Sequence, residues 1–545
     1  MRGVGLRTTG AAALFVCAAT VPFLARPLHV DDEVYVRGAE QILADPTNPL
    51  GGTQLMLGAE MPTYRFTHHP PLVSAVIAAV IGATGEVEPW QLHAAFLAFP
   101  LVAALAMLGL SRRFVGHPLA ATLLLAATPA FVVGSHGLMT DVPLLALWLA
   151  ACVTGVAGID AGCRRRLAAA AVALALACAV QYRALLLAPV LLGYAWLQRR
   201  PLAPAALAAV PAVVVLAAWS WWNHATLGVL HVLDASGTIP MTPERLLRDG
   251  IAYASFTGGA TVFPGFLLFA VRRRLRLPIA GGILAATGLV LWRWAPEHAG
   301  LQAWLLGGFC AVGLATLLGV VPEPSAWRRE PAPAGAASPE ADRDDLFLFG
   351  AVALVLASHV LLNLFASVRS LLLALPFLVL LIVREVERST ASASGARRAL
   401  GTGVVATAAL ALAVAVADYR LAEAHRDLGE GVGCEGEGCR VWFSGEWGFR
   451  YAMERRGFRY LLTAENSPRE GDVVIMPDVP CPSNLHPGLV DRLQLLRVVD
   501  SQQRFPIKVA SFRDHAAFYS DFFGLLPYSF SSDPLDRIRV FRVAR

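Results

Sequence analysis

Charge is what this chain has least of. Only 16% of its 545 residues are charged, 56% are hydrophobic, and the mean hydropathy is +0.56, whereas an ordinary soluble domain carries about 25% charged residues. The shortage excludes a wholly soluble protein and leaves a polytopic membrane protein with room for one soluble region. Lysine is nearly missing: Lys508 is the only one, and Arg carries the rest of the positive charge, which reads as codon usage and not as chemistry. The net charge of +5 does not indicate a nucleic-acid partner, because the Arg clusters lie between apolar runs, where they orient helices. No Gly-rich nucleotide loop and no Ser nucleophile elbow occurs. Gly258-Gly259 and Gly281-Gly282 read instead as helix-packing or turn glycines.

Cysteine is sparse as well, with eight in all. Cys17, Cys152, Cys163, Cys178 and Cys310 lie in or beside apolar segments as small core residues. Cys434, Cys439 and Cys481 lie in the polar C-terminal part, where a Cys434–Cys439 disulfide fits an extracytoplasmic setting. No His stands nearby at the spacing a zinc site needs.

What is abundant is apolar sequence in runs of membrane-spanning length. Spans are expected near 9–28, 91–110, 118–135, 141–158, 167–181, 184–198, 204–222, 255–271, 278–294, 300–320, 346–366, 370–383 and 400–417. Met1 to Ala25 has no clear cleavage site and is taken as a membrane helix, not a signal peptide. The run from His69 to Gly82 is too short to cross and is expected as an interfacial helix. Arg2/Arg7, Arg112/Arg113, Arg164–Arg166, Arg199/Arg200, Arg272–Arg274, Arg328/Arg329 and Arg397/Arg398 all fall on one side if there are about thirteen crossings. The loop 29–90 and everything after 418 then face outward. Residues 321–345 read as a flexible cytoplasmic linker. The expected architecture is an all-α membrane domain over 1–417 and a small extracytoplasmic α/β domain over 418–545. In the latter, 441–443 and 472–476 read as buried strands, Phe449 to Arg456 as a short helix, and Arg537 to Val543 as an exposed-edge strand. Trp219, Trp221 and Trp222 fit an interfacial aromatic belt.

Chemistry concentrates in the outward loops. The first opens with Val30-Asp31-Asp32-Glu33-Val34-Tyr35 directly after the first span. Carboxylates beside hydrocarbon are costly. A helix N-cap explains one of them but not three, and the chemistry that fits is a general base at the membrane surface. The same loop ends with Tyr64-Arg65-Phe66-Thr67-His68-His69-Pro70-Pro71-Leu72, a cationic rim for a phosphate. His68 and His69 are weak metal candidates, since a third ligand at fixed spacing is lacking. Asp141 follows Thr140 and precedes Pro143 at an outward helix start. Arg183, in Gln181-Tyr182-Arg183, and Arg369, in Ser367-Val368-Arg369-Ser370, occupy tight outward turns. Arg on that face runs against the inside bias and calls for an anionic partner.

An acidic pair after the first span, Pro70-Pro71-Leu72 entering an interfacial helix, and Thr140-Asp141-x-Pro143 together resemble the GT-C glycosyltransferases of family 39, the protein O-mannosyltransferases and bacterial lipid A aminoarabinose transferases. The resemblance covers roughly 10–385. Arg369 with Pro376 is similar to the family's Arg-Tyr…Pro segment, with Ser370 in place of the aromatic. Gly445-Glu446-Trp447-Gly448-Phe449-Arg450-Tyr451 resembles a segment of bacterial members outside the catalytic signature. Of the two registers for the acidic motif, spacing to Tyr35 and Ala39 selects Asp31-Asp32 over Asp32-Glu33.

The resemblance implies a sugar transferase of the bacterial inner membrane, multi-pass, with an outward site. Its partners would be a polyprenyl-phosphate sugar donor, an extracytoplasmic acceptor and the bilayer. Asp31, Asp32 and Asp141 are the candidate catalytic residues, Asp31 as base. Arg65, His69, Arg183 and Arg369 are the candidate binders of the donor phosphate. A cofactor is not required, and a divalent metal is left open. The rival expectation is a transporter or flippase of lipid-linked sugars, which would place ionisable residues near mid-membrane; the span interiors hold few, with His359 and Asn363 the main polar exceptions.

Overall fold

The computed structural model describes residues 5–67, 69–236, 242–271, 276–294, 300–322, 339–434, 438–464 and 467–545. Arg2, Arg272–Arg274, Arg328/Arg329, the loop 295–299 and the body of the expected linker, 323–338, lie outside the described residues.

Among the described residues, seven helices are long and apolar enough to cross a membrane: Leu6–Phe23, Pro89–Phe114, Asp141–Ala161, Leu202–Leu227, Leu301–Gly319, Glu340–Leu362 and Ala393–Asp427. Helix length therefore does not confirm thirteen crossings. The expected span at 118–135 is two short helices, Pro118–Ala126 and Pro129–Gly134, restarted by Thr128, whose Oγ1 accepts from Phe131 N at 3.3 Å. The segments near 167–198 are a 17-residue helix, Arg164–Val180, and a shorter apolar stretch, Tyr182–Leu197. The expected span 255–271 is also not straight: Pro243–Ala260 and Val262–Leu268 meet at 87°, and counting that pair as one gives eight.

Close packing of helices explains several glycines. A Cβ on Gly258 would lie 1.8 Å from the Phe309 carbonyl oxygen, and one on Gly313 1.8 Å from that of Ala254, so the two helices touch backbone to backbone. The interfacial helix is Leu72–Thr84, with Val73, Ile77 and Ile81 buried. Trp221 is exposed, as in an aromatic belt, whereas Trp219 stacks on Trp222 and donates to the Tyr182 hydroxyl at 2.9 Å.

The C-terminal region holds a five-stranded sheet. Its strands are β3 (Val441–Phe443), β4 (Arg459–Tyr460), β5 (Val473–Pro477), β6 (Leu493–Asp500) and β11 (Arg537–Val543), after β1 (Thr53–Met56) and β2 (Ala59–Pro62) of the first loop. Short paired strands complete the count: β7 (Ile507–Lys508), β8 (Ala510–Ser511), β9 (Ala516–Ala517) and β10 (Ser529–Phe530). The order is β4-β3-β5-β11-β6, parallel across β4-β3-β5 and antiparallel from β5 to β6. Arg537 to Val543 is therefore an interior strand, not an edge. Alternation reports one buried face and says nothing of the number of neighbours; the Arg side chains on the other face pair with Asp478 and Asp500. The expected short helix is present as Trp447–Arg455, and Cys434–Cys439 form a disulfide.

The last long helix, Ala393–Asp427, has 35 residues. At 1.5 Å per residue it spans about 50 Å, well beyond a hydrocarbon core of about 30 Å. Its final turns run past residue 418 into the C-terminal region and carry Asp418 and His425 inside, His425 Nε2 lying 3.3 Å from Asp536 Oδ2. The β1–β2 hairpin reaches the same region: Leu57 N donates to Glu446 Oε1 at 2.7 Å and Gly58 N to the Tyr460 hydroxyl at 2.8 Å. These ties dock the β1–β2 hairpin on the C-terminal region.

Candidate active site

The acidic run divides into three roles at the start of the helix Asp32–Ala44. Asp31 stands at the N-cap but makes no capping bond with its side chain, which is 36% exposed and hence reachable by a substrate. Asp32 is fully buried and saturated: Oδ2 accepts from Arg26 Nη2 at 2.8 Å and His29 N at 3.0 Å, and Oδ1 from Leu138 N at 2.7 Å. Glu33 turns toward the C-terminal region, 2.5 Å from Arg37 Nε and 3.5 Å from Arg450 Nε. The preceding Val30 has φ +49, a left-handed conformation that is costly for a β-branched residue and persists only where the surroundings impose it.

Asp141 comes to the same place from the first turn of Asp141–Ala161. Arg369, in the turn Arg369–Leu373, joins the two acids: Nη1 is 3.0 Å from Asp141 Oδ2 and Nη2 is 3.8 Å from Asp31 Oδ2. Arg183 Nη2 is 4.0 Å from Asp141 Oδ1 and is aimed by Gln181, whose Oε1 accepts from Arg183 Nε at 3.0 Å and Nη2 at 2.6 Å. Gln181 Nε2 in turn donates to Thr140 Oγ1, and the Tyr35 hydroxyl lies 3.4 Å from that oxygen. The structure thus brings together Asp31, Asp141, Arg183 and Arg369.

Arg65 stands apart. It is exposed in the turn Thr63–Phe66, and among the described residues no ion pair joins it to Asp31 or Asp141. His69 is half-buried in the following bend, and His68 lies outside the described residues. Among the described residues no three His, Cys, Asp or Glu side chains converge as metal ligands, and the Arg369 guanidinium already lies between Asp31 and Asp141.

Several participants carry no local signature. Arg26 bridges Asp32 to Asp418, at 2.8 and 2.5 Å, and all three are buried. The Tyr519 hydroxyl donates to Asp418 Oδ1. Arg369 lies with its guanidinium carbon 5.1 Å from the centre of the Tyr519 ring. Desolvation pushes the Asp31 carboxyl above its usual range; Arg369 pulls it down, and Asp32 and Asp141 push it up again. A carboxylate so placed binds a proton more readily than an ordinary aspartate, and it lies beside cations that can receive a departing anion.

Three comparisons with known proteins bear on this arrangement. Residues 68–222 match the family model described as dolichyl-phosphate-mannose-protein mannosyltransferase. Among curated proteins none matches. Among solved structures, ArnT from Cupriavidus metallidurans in the apo state is 15% identical, with 90% of this chain and 96% of that chain covered and a TM-score of 0.39. The same protein bound to undecaprenyl phosphate is 17% identical with the same coverage and a TM-score of 0.37. The oligosaccharyltransferase of Archaeoglobus fulgidus is 13% identical over 83% of this chain and 62% of that chain, with a TM-score of 0.47. At these scores no residue role is taken from the solved structures. The matched segment holds the Pro70-Pro71-Leu72 entry, Asp141 and Arg183, and through it the chain is similar to the mannosyltransferase branch of the GT-C glycosyltransferases, the resemblance read from its motifs.

Proposed function

We propose that this chain is an inverting glycosyltransferase that moves a sugar from a polyprenyl-phosphate carrier to an extracytoplasmic acceptor, with Asp31 as general base. The observation that carries the proposal is the uncommitted, partly exposed Asp31 carboxylate 3.8 Å from Arg369, while Asp32 beside it is wholly used in holding the loop. The leaving group is a phosphate and needs no protonation by a general acid, so one carboxylate suffices, in contrast to the acid–base pair of a glycoside hydrolase. Asp31 takes the proton of the acceptor hydroxyl or amine as its oxygen or nitrogen attacks the anomeric carbon. The bond to the phosphate oxygen breaks, and Arg369 and Arg183 neutralise the departing charge. Asp141 orients both guanidinium groups. A single displacement of this kind inverts the anomeric configuration.

The test is turnover of radiolabelled polyprenyl-phosphate sugars in membranes holding the chain. Asp31→Asn should lower transfer by about 10²–10⁴-fold, the range for loss of a positioned base, with the protein still inserted and folded. Transfer by Asp31→Asn at the parent rate would dismiss Asp31 as base.

A further inference from the structure

We infer that Tyr519, in the C-terminal region, is a positioning residue of this site, holding the guanidinium that receives the donor phosphate. The inference rests on the reading of Arg369 as a phosphate-binding group and extends it to a residue 150 positions away.

The backbone around Tyr519 is fixed to the outer ends of the membrane helices. Val368 N donates to the Phe518 carbonyl at 3.1 Å, and Asp521 N donates to the Ala366 carbonyl at 2.9 Å. Ala366 N returns a bond to Asp521 Oδ1 at 3.0 Å, and Arg248 Nη2 donates to the Asp521 carbonyl at 2.8 Å. Residues 518–521 therefore lie along 366–369 as a docked strip. Tyr519 itself is 3% exposed. Its neighbours Phe518 and His29 contact the ring at 5.4 and 5.6 Å between centroids.

From this position Tyr519 touches both halves of the polar network. Its ring faces the Arg369 guanidinium at 5.1 Å, and its carbonyl oxygen accepts from Arg369 Nη2 at 3.5 Å. Its hydroxyl donates to Asp418, which holds Arg26 and so Asp32. A desolvated cation–π contact is among the stronger interactions open to an arginine that must remain free to bind an anion. Asp141 and Asp31 already lie 3.0 and 3.8 Å from the guanidinium, and a third carboxylate in that place would compete further with the incoming phosphate. An aromatic face holds the guanidinium without neutralising it. Arg369 Nε is buried and has no hydrogen-bond partner among the described atoms.

The experiment uses the full chain purified into lipid nanodiscs, with undecaprenyl phosphate as probe and affinity as the first readout. Arg369→Gln is the reference for loss of the phosphate contact. Tyr519→Leu and Tyr519→Met remove the ring; Tyr519→Phe keeps it and loses only the hydroxyl. Melting temperatures are taken on all four. The expected result is an affinity lowered about tenfold in the ring-less variants and within twofold of the parent in Tyr519→Phe, the aromatic rescuing binding. Two ring-less variants are made so that a folded one remains for measurement. Parent-like affinity in a folded ring-less variant, or equal losses in Tyr519→Phe and Tyr519→Leu, would overturn the role of the ring while leaving the phosphate site intact. If Arg369→Gln binds the probe as tightly as the parent, the reading of Arg369 fails and the role of Tyr519 fails with it.

Discussion

Arg26 Nη1 lies 2.5 Å from Asp418 Oδ2, and neither residue is reached by water. The pair joins the exit of the first membrane helix to the last one, and Arg26 Nη2 donates to Asp32 Oδ2 at 2.8 Å. Removing one partner of a buried ionic network costs about 3–5 kcal/mol, because the remaining charge has nowhere to go. Arg26→Met leaves two buried carboxylates facing each other. It should lower the melting temperature sharply and reduce the yield of folded protein. Asp31→Asn should leave the melting temperature near that of the parent, since the Asp31 side chain caps nothing. Thermal unfolding followed by size-exclusion chromatography in detergent separates the two; similar melting temperatures for both variants would deny the network its structural role.

The pH dependence of transfer follows from the surroundings of Asp31. A base acts as its carboxylate, so activity is present above its pKa and lost as pH falls through it. Desolvation raises that pKa, so the acid limb should lie above the ordinary aspartate value of about 3.9. Arg369 holds it down, and Asp141 pushes it up. Arg369→Gln should therefore move the limb to higher pH, and Asp141→Asn to lower pH. Rate against pH for the residual activities reads the direction independently of the size of the loss. A limb that stays fixed in both variants would place the titrating group elsewhere.

Sidedness gives a third prediction. The Arg bias predicts a cytoplasmic turn at Arg164–Arg166 and a C-terminal region on the other side of the membrane. Arg165 is exposed, and the Arg545 side chain is 91% exposed. In intact cells a membrane-impermeant maleimide should label Arg545→Cys above the background of the parent, and Arg165→Cys only after the membrane is opened. The reverse pattern would put the Asp31 site in the cytoplasm and sink an extracytoplasmic acceptor.

The local part of this site was readable in the chain. Asp31, Asp141, Arg183 and Arg369 each stand at the end of an apolar run, where a charge needs a reason, and the fold gathers all of them. Arg26, Asp418 and Tyr519 are not readable: Asp418 lies 392 positions from Arg26 and 101 from Tyr519, and no period or motif links them. Glu33 looked like part of the acidic motif, yet its partners are Arg37 and Arg450. Helix length does not confirm thirteen crossings for a related reason: an apolar run reports burial, and a Pro or a capping Thr128 inside it breaks one helix into two.

Gly448 gives the last prediction, and it links the C-terminal region to the catalytic loop. Gly448 lies in the first turn of Trp447–Arg455, and a Cβ there would fall 1.7 Å from the Leu28 carbonyl oxygen, 2.6 Å from its carbon and 3.2 Å from His29 Cα. Every one of these is a backbone atom, so no side chain can swing aside. Leu28 and His29 lead directly into Val30, already in a left-handed conformation, and His29 N holds Asp32 at 3.0 Å. Displacing them shifts Asp31, and a misplacement of about 1 Å can cost about 10²-fold in rate. Gly448→Ala should therefore reduce transfer by tenfold or more, on the order of that estimate, although the residue is remote in sequence from every proposed catalytic group. Gly433→Ala, in the same region with open space around its Cα, should leave transfer unchanged. Assaying both variants beside Asp31→Asn decides the matter: equal activity in Gly448→Ala and Gly433→Ala would mean that the catalytic loop does not depend on this contact.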